Sequence, residues 1–218
     1  KMGETLRKRL PCATMSLGVN GQHQSEEGSP SYFNVTEAEE IVRLVQALLA
    51  VDNYEPRLKA EEGGRVTTRD IGVICAFRAQ VLLVRNVLRN ADLGAVGVGS
   101  VEDYQGQETR IIIVSTVLSC RLREWSSVGI DIETDKSPTA PPSGLSPNGL
   151  LGNARKFNVA VTRGQALCVV VGKPTLLCTD PYFQHYMRGC VQRGTHHGVP
   201  CPSFDVAPGA GRLNKLDM

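Results

Sequence analysis

No GxxxxGK[ST] phosphate loop occurs anywhere in the 218 residues. The chain therefore lacks a lysine of the kind that grips the β- and γ-phosphates of a nucleotide. No Asp-Glu pair follows an apolar strand either, so no acidic pair is set up for Mg2+. No apolar run approaches the ~20 residues needed to cross a bilayer, and no membrane association is expected. The charged start, Lys1-Met2-Gly3-Glu4, leads into no apolar core of a signal peptide. There is no CxxC, and the seven cysteines are odd in number. Cys75 and Cys168 lie inside apolar runs, where a thiol is a small core residue. Nothing points to a disulfide framework, so a reducing, cytoplasmic setting is expected. Aromatics are only 5% of the chain, which leaves the core to aliphatic residues, as in sheets of Val/Ile-rich parallel strands.

The charge balance is also close to empty: 24 Lys and Arg against 22 Asp and Glu, a net of +2. Bulk charge does not indicate a nucleic-acid partner, and any such binding must come from a local patch. The length suits one generous domain. The chain begins without an initiator Met and is expected to be a piece of something longer. Cys190, His196, His197 and Cys201 fit no common zinc spacing, so a surface loop is the default there and no metal ligand is assigned.

What is present is an alternation of strands and helices. Strands are predicted over 12–19, 71–75, 96–101, 111–117 and 167–171. Asn34 starts a helix whose Ile41, Val42, Leu44, Val45, Leu48 and Leu49 share one face. Asn34 with Glu37 reads as a capping box, the carboxylate reaching back to the backbone of Asn34. Further helices are expected over 78–90, 155–163 and 181–193, with a polar surface excursion over 52–69. The organisation is a tail over 1–11, an α/β domain over 12–202 and a tail over 203–218. A Ser/Pro/Gly-rich insertion, 121–149, interrupts the domain. Apolar strands alternating with helices argue for a parallel sheet covered on both faces. Ligands of such sheets sit at the carboxyl ends of the strands, and the two blocks richest in chemistry are expected to share one site there.

The first block is Gly99-Ser100-Val101-Glu102-Asp103-Tyr104-Gln105-Gly106-Gln107-Glu108. Gly106 permits close backbone approach to a phosphate or ribose. Glu108 is an acceptor suited to a ribose hydroxyl or a metal-bound water, and Ser100 can donate to a phosphodiester oxygen. The second block is Arg155-Lys156-Phe157-Asn158-Val159-Ala160-Val161-Thr162-Arg163, which runs straight into an apolar strand. A guanidinium fixed just ahead of a buried strand can be aimed at a phosphate. Taken singly, the blocks read more plainly, as a polar connection between strands and as a helix with surface arginines.

In this order, strand, loop, strand, insertion and arginine-terminated segment, they resemble superfamily 1 helicases. Residues 100–108 are similar to that superfamily's motif V and 155–163 to its motif VI. Ile71-Gly72-Val73-Ile74-Cys75-Ala76-Phe77-Arg78 is similar to a strand-and-turn motif of the same group. The likeness is greatest to RNA helicases of the nonsense-mediated-decay type, in the branch of the Moloney leukaemia virus 10 helicase and its silencing relatives, including Armitage. It covers about 12–202 without the insertion, and it implies a second RecA-like domain.

The resemblance implies that Arg163 is an arginine finger for the ATP γ-phosphate. It puts Gly106, Glu108, Gln105 and Arg155 around the nucleotide. Ser100, Phe77, Arg78 and Thr116 would face single-stranded RNA. ATP and Mg2+ would be held mainly by a first RecA-like domain carrying the missing phosphate loop. The implied partners are that domain, single-stranded RNA and proteins of RNA silencing or decay, with 5′-to-3′ translocation and a cytoplasmic or ribonucleoprotein-granule location. Cys75-Ala76-Phe77 replaces a polar-Pro-Tyr turn, Gln107 stands where relatives often carry arginine, and Gly164-Gln165 replaces a further basic residue. The alternatives are an inactive RNA- or protein-binding module of the same fold and a DNA-directed superfamily 1 helicase.

Overall fold

The structure, a computed structural model, describes residues 12–25, 31–50, 66–120 and 149–203. The chain opens with β1 (Ala13–Gly18), a short antiparallel pair β2 (Gln24–Ser25) and β3 (Tyr32–Phe33), and α1 (Val35–Ala50). Then follow β4 (Ile71–Cys75), α2 (Arg78–Asn90), β5 (Gly97–Ser100) and β6 (Thr109–Ser115). After the insertion come α3 (Ala154–Val161), β7 (Gly164–Gly172), a single turn α4 (Pro174–Leu177), α5 (Pro181–Gln192) and β8 (His196–Gly198). Residues 121–148 of the expected insertion, most of the expected 52–69 excursion, the expected tail over 1–11 and all but the first residue of the tail over 203–218 lie outside the described residues.

Six strands form one parallel sheet in the order β5-β4-β6-β7-β1-β8. Alternation along the central strand β6 divides the core in two. Ile111 and Ile113 face α1 and α2, packing with Ile41, Val45, Val84 and Leu88. Ile112 and Val114 face α3 and α5, packing with Phe157, Phe183 and Met187. Both faces are covered, which is why β4 is buried at all five positions. The helices present matching stripes: Phe183, Tyr186, Met187 and Cys190 of α5 are buried at helical spacing. The expected α/β parallel architecture is the one found. Two pieces were not expected, the β2–β3 pair and the edge strand β8, which occupies ground assigned to an irregular segment. Among the described residues no helix is long and apolar enough to cross a membrane.

The helix expected at Asn34 is present, but only half of its capping box forms. The Glu37 N–H donates to Asn34 Oδ1 at 3.2 Å, whereas the Asn34 N–H donates to Gln80 Oε1 of α2 at 2.8 Å. The Glu37 carboxylate turns inward instead, accepting from Ser115 Oγ at 2.6 Å and from the Val117 N–H at 3.0 Å. Tertiary contact wins here because the end of β6 offers two donors that would otherwise be buried without partners. Val117 sits at φ 72°, a genuine outlier for a β-branched residue. Its N–H is held by Glu37 and its carbonyl accepts from Asn34 Nδ2 at 3.1 Å. The network thus fixes a turn that the Val117 side chain alone disfavours.

Glu37 is fully buried, and no ion pair among the described residues involves it. Burial pushes its carboxyl up from 4.5 to about 7, against the opposing pull of the Ser115 and Val117 hydrogen bonds. Between those values the folded state holds a proton that the unfolded chain has lost. The stabilisation is therefore complete below pH 4.5 and is lost as the pH rises through about 7, a change of about 3 kcal/mol. Melting curves from pH 5 to pH 8 should show a falling midpoint, and Glu37→Gln should flatten that fall. An equal fall in the variant would assign the titration to another group.

Candidate functional site

Residues 100–108 form a crossover, and that decides where their side chains go. Ser100, at the carboxyl end of β5, is level with Cys75 of β4, which is level with Ser115 of β6. Because β6 runs parallel to β4, the chain must return to the opposite end of the sheet before β6 begins. Thr109 lies six residues below Ser115, which at ~3.3 Å per residue is about 20 Å. Tyr104 pins the crossover to the sheet, its hydroxyl donating to the Gly97 carbonyl at 3.0 Å. Glycine at 72 makes room for it, since an added Cβ there would lie 2.7 Å from that hydroxyl. Gly106 is exposed with φ +77° and open space around it, so the turn conformation is what requires glycine. The two blocks therefore do not share one site at the carboxyl ends of the strands. They form two groups at opposite ends of the sheet.

The first group lies at the amino ends of β6 and β7. Thr109 pairs with Gly164, and the Thr109 N–H donates to the Arg163 carbonyl at 3.0 Å. This register brings Glu108 next to the strand that follows Arg163, with Gln165 Nε2 donating to Glu108 Oε2 at 3.5 Å. The Arg163 guanidinium folds back on the carboxyl end of α3. Its Nε donates to the Val159 carbonyl at 3.2 Å, Nη2 to Thr162 Oγ1 at 2.9 Å and Nη1 to the Gln107 carbonyl at 3.5 Å. All three acceptors are neutral, and no ion pair among the described residues involves Arg163. The negative end of the helix dipole helps to hold the cation there. Gln105 is exposed on the same turn as Gly106. Arg110, next along β6, faces a bulge in the β6–β7 register, and its Nη2 is buried without a partner.

The second group surrounds a cleft of about 400 Å³ at the carboxyl ends of β4 and β5, lined by Phe77, Arg78, Arg85, Ser100, Glu102 and Lys156 among others. Arg78 is the exposed first residue of α2. Phe77 is only 4% exposed and packs edge-to-face on Tyr32 at 5.3 Å, so it forms wall rather than a stacking surface. The Ser100 N–H and hydroxyl both donate to Asp103 Oδ2, at 2.8 and 3.0 Å, and these bonds hold the Asp103 carboxyl below its ordinary range. Lys156 Nζ lies 2.8 Å from Glu102 Oε1 and depresses that carboxyl in the same way. Three cations, Arg78, Arg85 and Lys156, face two carboxylates, Glu102 and Asp103. Arg155 is exposed on α3.

Thr116 requires a correction. It is fully buried, and its hydroxyl donates to the Val171 carbonyl at 3.1 Å. It therefore packs β6 on β7 and faces no ligand. The cysteine–histidine segment differs from expectation too. Cys190 is buried on α5, while His196 of β8 shares hydrogen bonds with Ser16 Oγ at 2.8 Å and the Val199 carbonyl at 2.9 Å. Among the described residues no group of three or more His, Cys, Asp or Glu is placed to hold a metal ion.

Glu102 and Asp103 were not singled out in the sequence. For Asp103 a signal existed, the Ser-x-x-Asp spacing that closes a local side-chain turn. For the Glu102–Lys156 pair there was none, because its members are 54 positions apart. Helix α3 spans both groups, with Lys156 near its start and Arg163 just past its end. Asn153 caps it, Oδ1 accepting from the Lys156 N–H at 3.0 Å. The turn before it is anchored by buried Asp180, which accepts from the Gly152 N–H at 2.7 Å and from the Tyr182 and Phe183 N–H groups at 2.9 and 3.0 Å.

A family model described as an AAA domain matches residues 4–175. The chain belongs to that family. It is 33% identical over 195 residues to a putative helicase MOV-10 of Gallus gallus, covering 84% of the chain and 18% of that protein. It is 37% identical over 185 residues to the RNA helicase Mov10l1 of Homo sapiens, covering 85% and 13%. It is 28% identical over 203 residues to a probable RNA helicase armi of Drosophila melanogaster, covering 91% and 14%. These relatives agree with the resemblance to superfamily 1 helicases of the Moloney leukaemia virus 10 group. The chain spans less than a fifth of the length of each of them.

Asp180 is the anchor through which α5 holds the start of this AAA-domain helix. Asp180→Ala removes three acceptor contacts at once and should lower unfolding free energy by about 2 kcal/mol. Denaturant unfolding measures it, and a loss below about 0.5 kcal/mol would mean that water replaces the carboxylate.

Proposed function

We propose that this chain is the second RecA-like domain of an ATP-dependent RNA helicase, supplying an arginine finger and part of the RNA-binding surface. The observation that carries the proposal is the β6–β7 register, which sets an arginine with no ionic partner among the described residues beside an exposed carboxylate at one rim. The names of the relatives support RNA as the polymer. ATP supplies the phosphoryl group whose transfer to water drives the cycle, and the residues present suit only one side of it. Arg163 can exchange the carbonyls of Val159 and Gln107 for a γ-phosphate oxygen, neutralising charge as it develops there. Glu108 can accept from a ribose hydroxyl, and Gly106 leaves the backbone open to approach. Gln105 flanks this rim as a supporting polar group, whereas Arg155, expected beside the nucleotide, stands at the start of α3 next to Lys156 and so belongs to the opposite, cleft end.

The phosphate loop and the carboxylates for Mg2+ would come from a first RecA-like domain, which would close on this one. At the opposite end, Arg78, Ser100 and Lys156 would grip the sugar–phosphate backbone, with Phe77 as the wall. Such a grip is sequence-tolerant and weakens with salt. The likeness to silencing and decay helicases extends the proposal to 5′-to-3′ movement on single-stranded RNA in the cytoplasm, alongside partner proteins of those processes.

Two measurements test it. This chain alone should hydrolyse no ATP, with or without RNA, because it has no phosphate loop; RNA-stimulated turnover by it would overturn the assignment. Joined to its first RecA-like domain, the protein should lose about 10³- to 10⁵-fold in kcat on Arg163→Ala. Nucleotide affinity should change far less, and wild-type turnover by the variant would remove Arg163 from this role.

A further inference from the structure

Two of the groups that would bind a nucleic-acid backbone in the cleft, Ser100 and Lys156, are already bound to carboxylates of the same chain. Ser100, the donor expected to meet a phosphodiester, gives both its N–H and its hydroxyl to Asp103 Oδ2. Lys156 gives its ammonium to Glu102 Oε1 at 2.8 Å. A carboxylate offers the same paired, anionic oxygens as a phosphodiester, so each acid occupies the position a phosphate would take. The two acids are not equivalent. Asp103 is locked by a reciprocal turn, its own N–H donating a weaker bond to Ser100 Oγ at 3.3 Å. Glu102 is held chiefly by its ionic contact to Lys156 on another element, with a lesser contribution from the Ser100 side chain.

The exposures decide which acid can leave. The Glu102 side chain is 55% exposed and that of Lys156 is 25% exposed. Glu102 can therefore swing into water and regain its hydration, while the Lys156 stem stays packed and its ammonium stays at the cleft. A half-exposed pair of this kind is weak and is screened by salt. A phosphodiester reinforced by Arg78 is the better partner for Lys156.

The geometry points to Glu102 as an intramolecular stand-in for an RNA phosphate, a gate that occupies Lys156 until the backbone of single-stranded RNA displaces it. This rests on the cleft being the RNA-facing side, as proposed above. Its consequence runs against the usual direction, since removing an acidic side chain should tighten binding at one definable contact. Displacement also acts on the helix that leads into Arg163, because α3 joins Lys156 to the segment ending there. Glu102 is thus a positioning residue rather than a catalytic one.

The test is binding of a 12-nucleotide oligouridine to the wild-type chain, Glu102→Gln, Lys156→Met and the double variant, each over a series of salt concentrations. Glu102→Gln should lower Kd by about 3- to 5-fold, the weight of a half-exposed ion pair. Lys156→Met should weaken binding and make the salt dependence shallower by about 0.7 in log–log slope, the loss of one phosphate contact on a single strand. The double variant should match Lys156→Met, because the gate acts only through Lys156. Tightening by Glu102→Gln that persists without Lys156 would overturn the gate and leave only a general charge effect. Equal binding by wild type and Glu102→Gln would overturn the gate alone. Absence of binding by all four proteins, each folded by circular dichroism, would overturn the RNA-facing cleft and the gate with it.

Discussion

The hydrogen bond from the Thr109 N–H to the Arg163 carbonyl, 3.0 Å long, fixes the level at which β7 enters the sheet. Both groups of candidate site residues are placed relative to it. A parallel strand cannot be joined to its neighbour by a tight turn, so the chain must travel the full length of the sheet between them. Here one such traverse is the 100–108 crossover and another is α3. Both run from the cleft at the carboxyl ends to the rim at the amino ends. The separation of about 20 Å between the two groups is thus a property of parallel pairing, and the motif residues had no freedom to sit closer together.

A second constraint works at the other end of β6. Glu37, Asn34, Gln80 and Ser115 form a closed polar network between α1, α2 and the end of β6, with the left-handed Val117 inside it. A buried carboxyl without a cation is a costly way to join three elements. It is tolerated because each partner is satisfied and because an apolar substitute would leave the Val117 N–H unpaired. Such a network specifies one arrangement of α1 and α2 on the sheet, where an apolar contact would permit several. The cleft is built directly on that arrangement, since Phe77 and Arg78 begin α2 and Ser31, which lies ahead of α1, accepts from the Ala79 N–H at 2.9 Å.

Periodicity carried the sheet and its helices, because apolar runs such as Ile111-Ile112-Ile113-Val114 need burial on both faces. It carried the arginine-ended helix for the same reason. What it did not carry depended on distant partners. Glu37 has the spacing of a capping box, and only the donors of Ser115 and Val117 draw it inward. Thr116 looks like a polar residue at the mouth of a strand, and nothing local reveals that Val171 takes its hydroxyl. The edge strand β8 is too short and too polar to announce itself, and it exists because β1 offers it three residues of parallel pairing. The division into two sites was hidden by treating loops that flank strands as equivalent, when one flanks an amino end and the other a carboxyl end.

The two ends are nonetheless mechanically joined. Crossover and α3 are tied at the cleft by Glu102 and Lys156, and at the rim by the Arg163 contacts to Gln107 and by Glu108 with Gln165. Between these ties, Tyr104 packs the crossover onto the sheet, and Phe157, Ala160 and Val161 pack α3 into the same core cluster. An eight-residue helix is about 12 Å long and moves as a unit. A change in what Lys156 binds therefore has a direct route to the segment that ends at Arg163. The ties differ in kind, though: the cleft tie is ionic and weakened by salt, while the rim ties run through backbone carbonyls and one amide. Salt therefore loosens the cleft tie, the one made between two oppositely charged side chains, more than it loosens the rim ties.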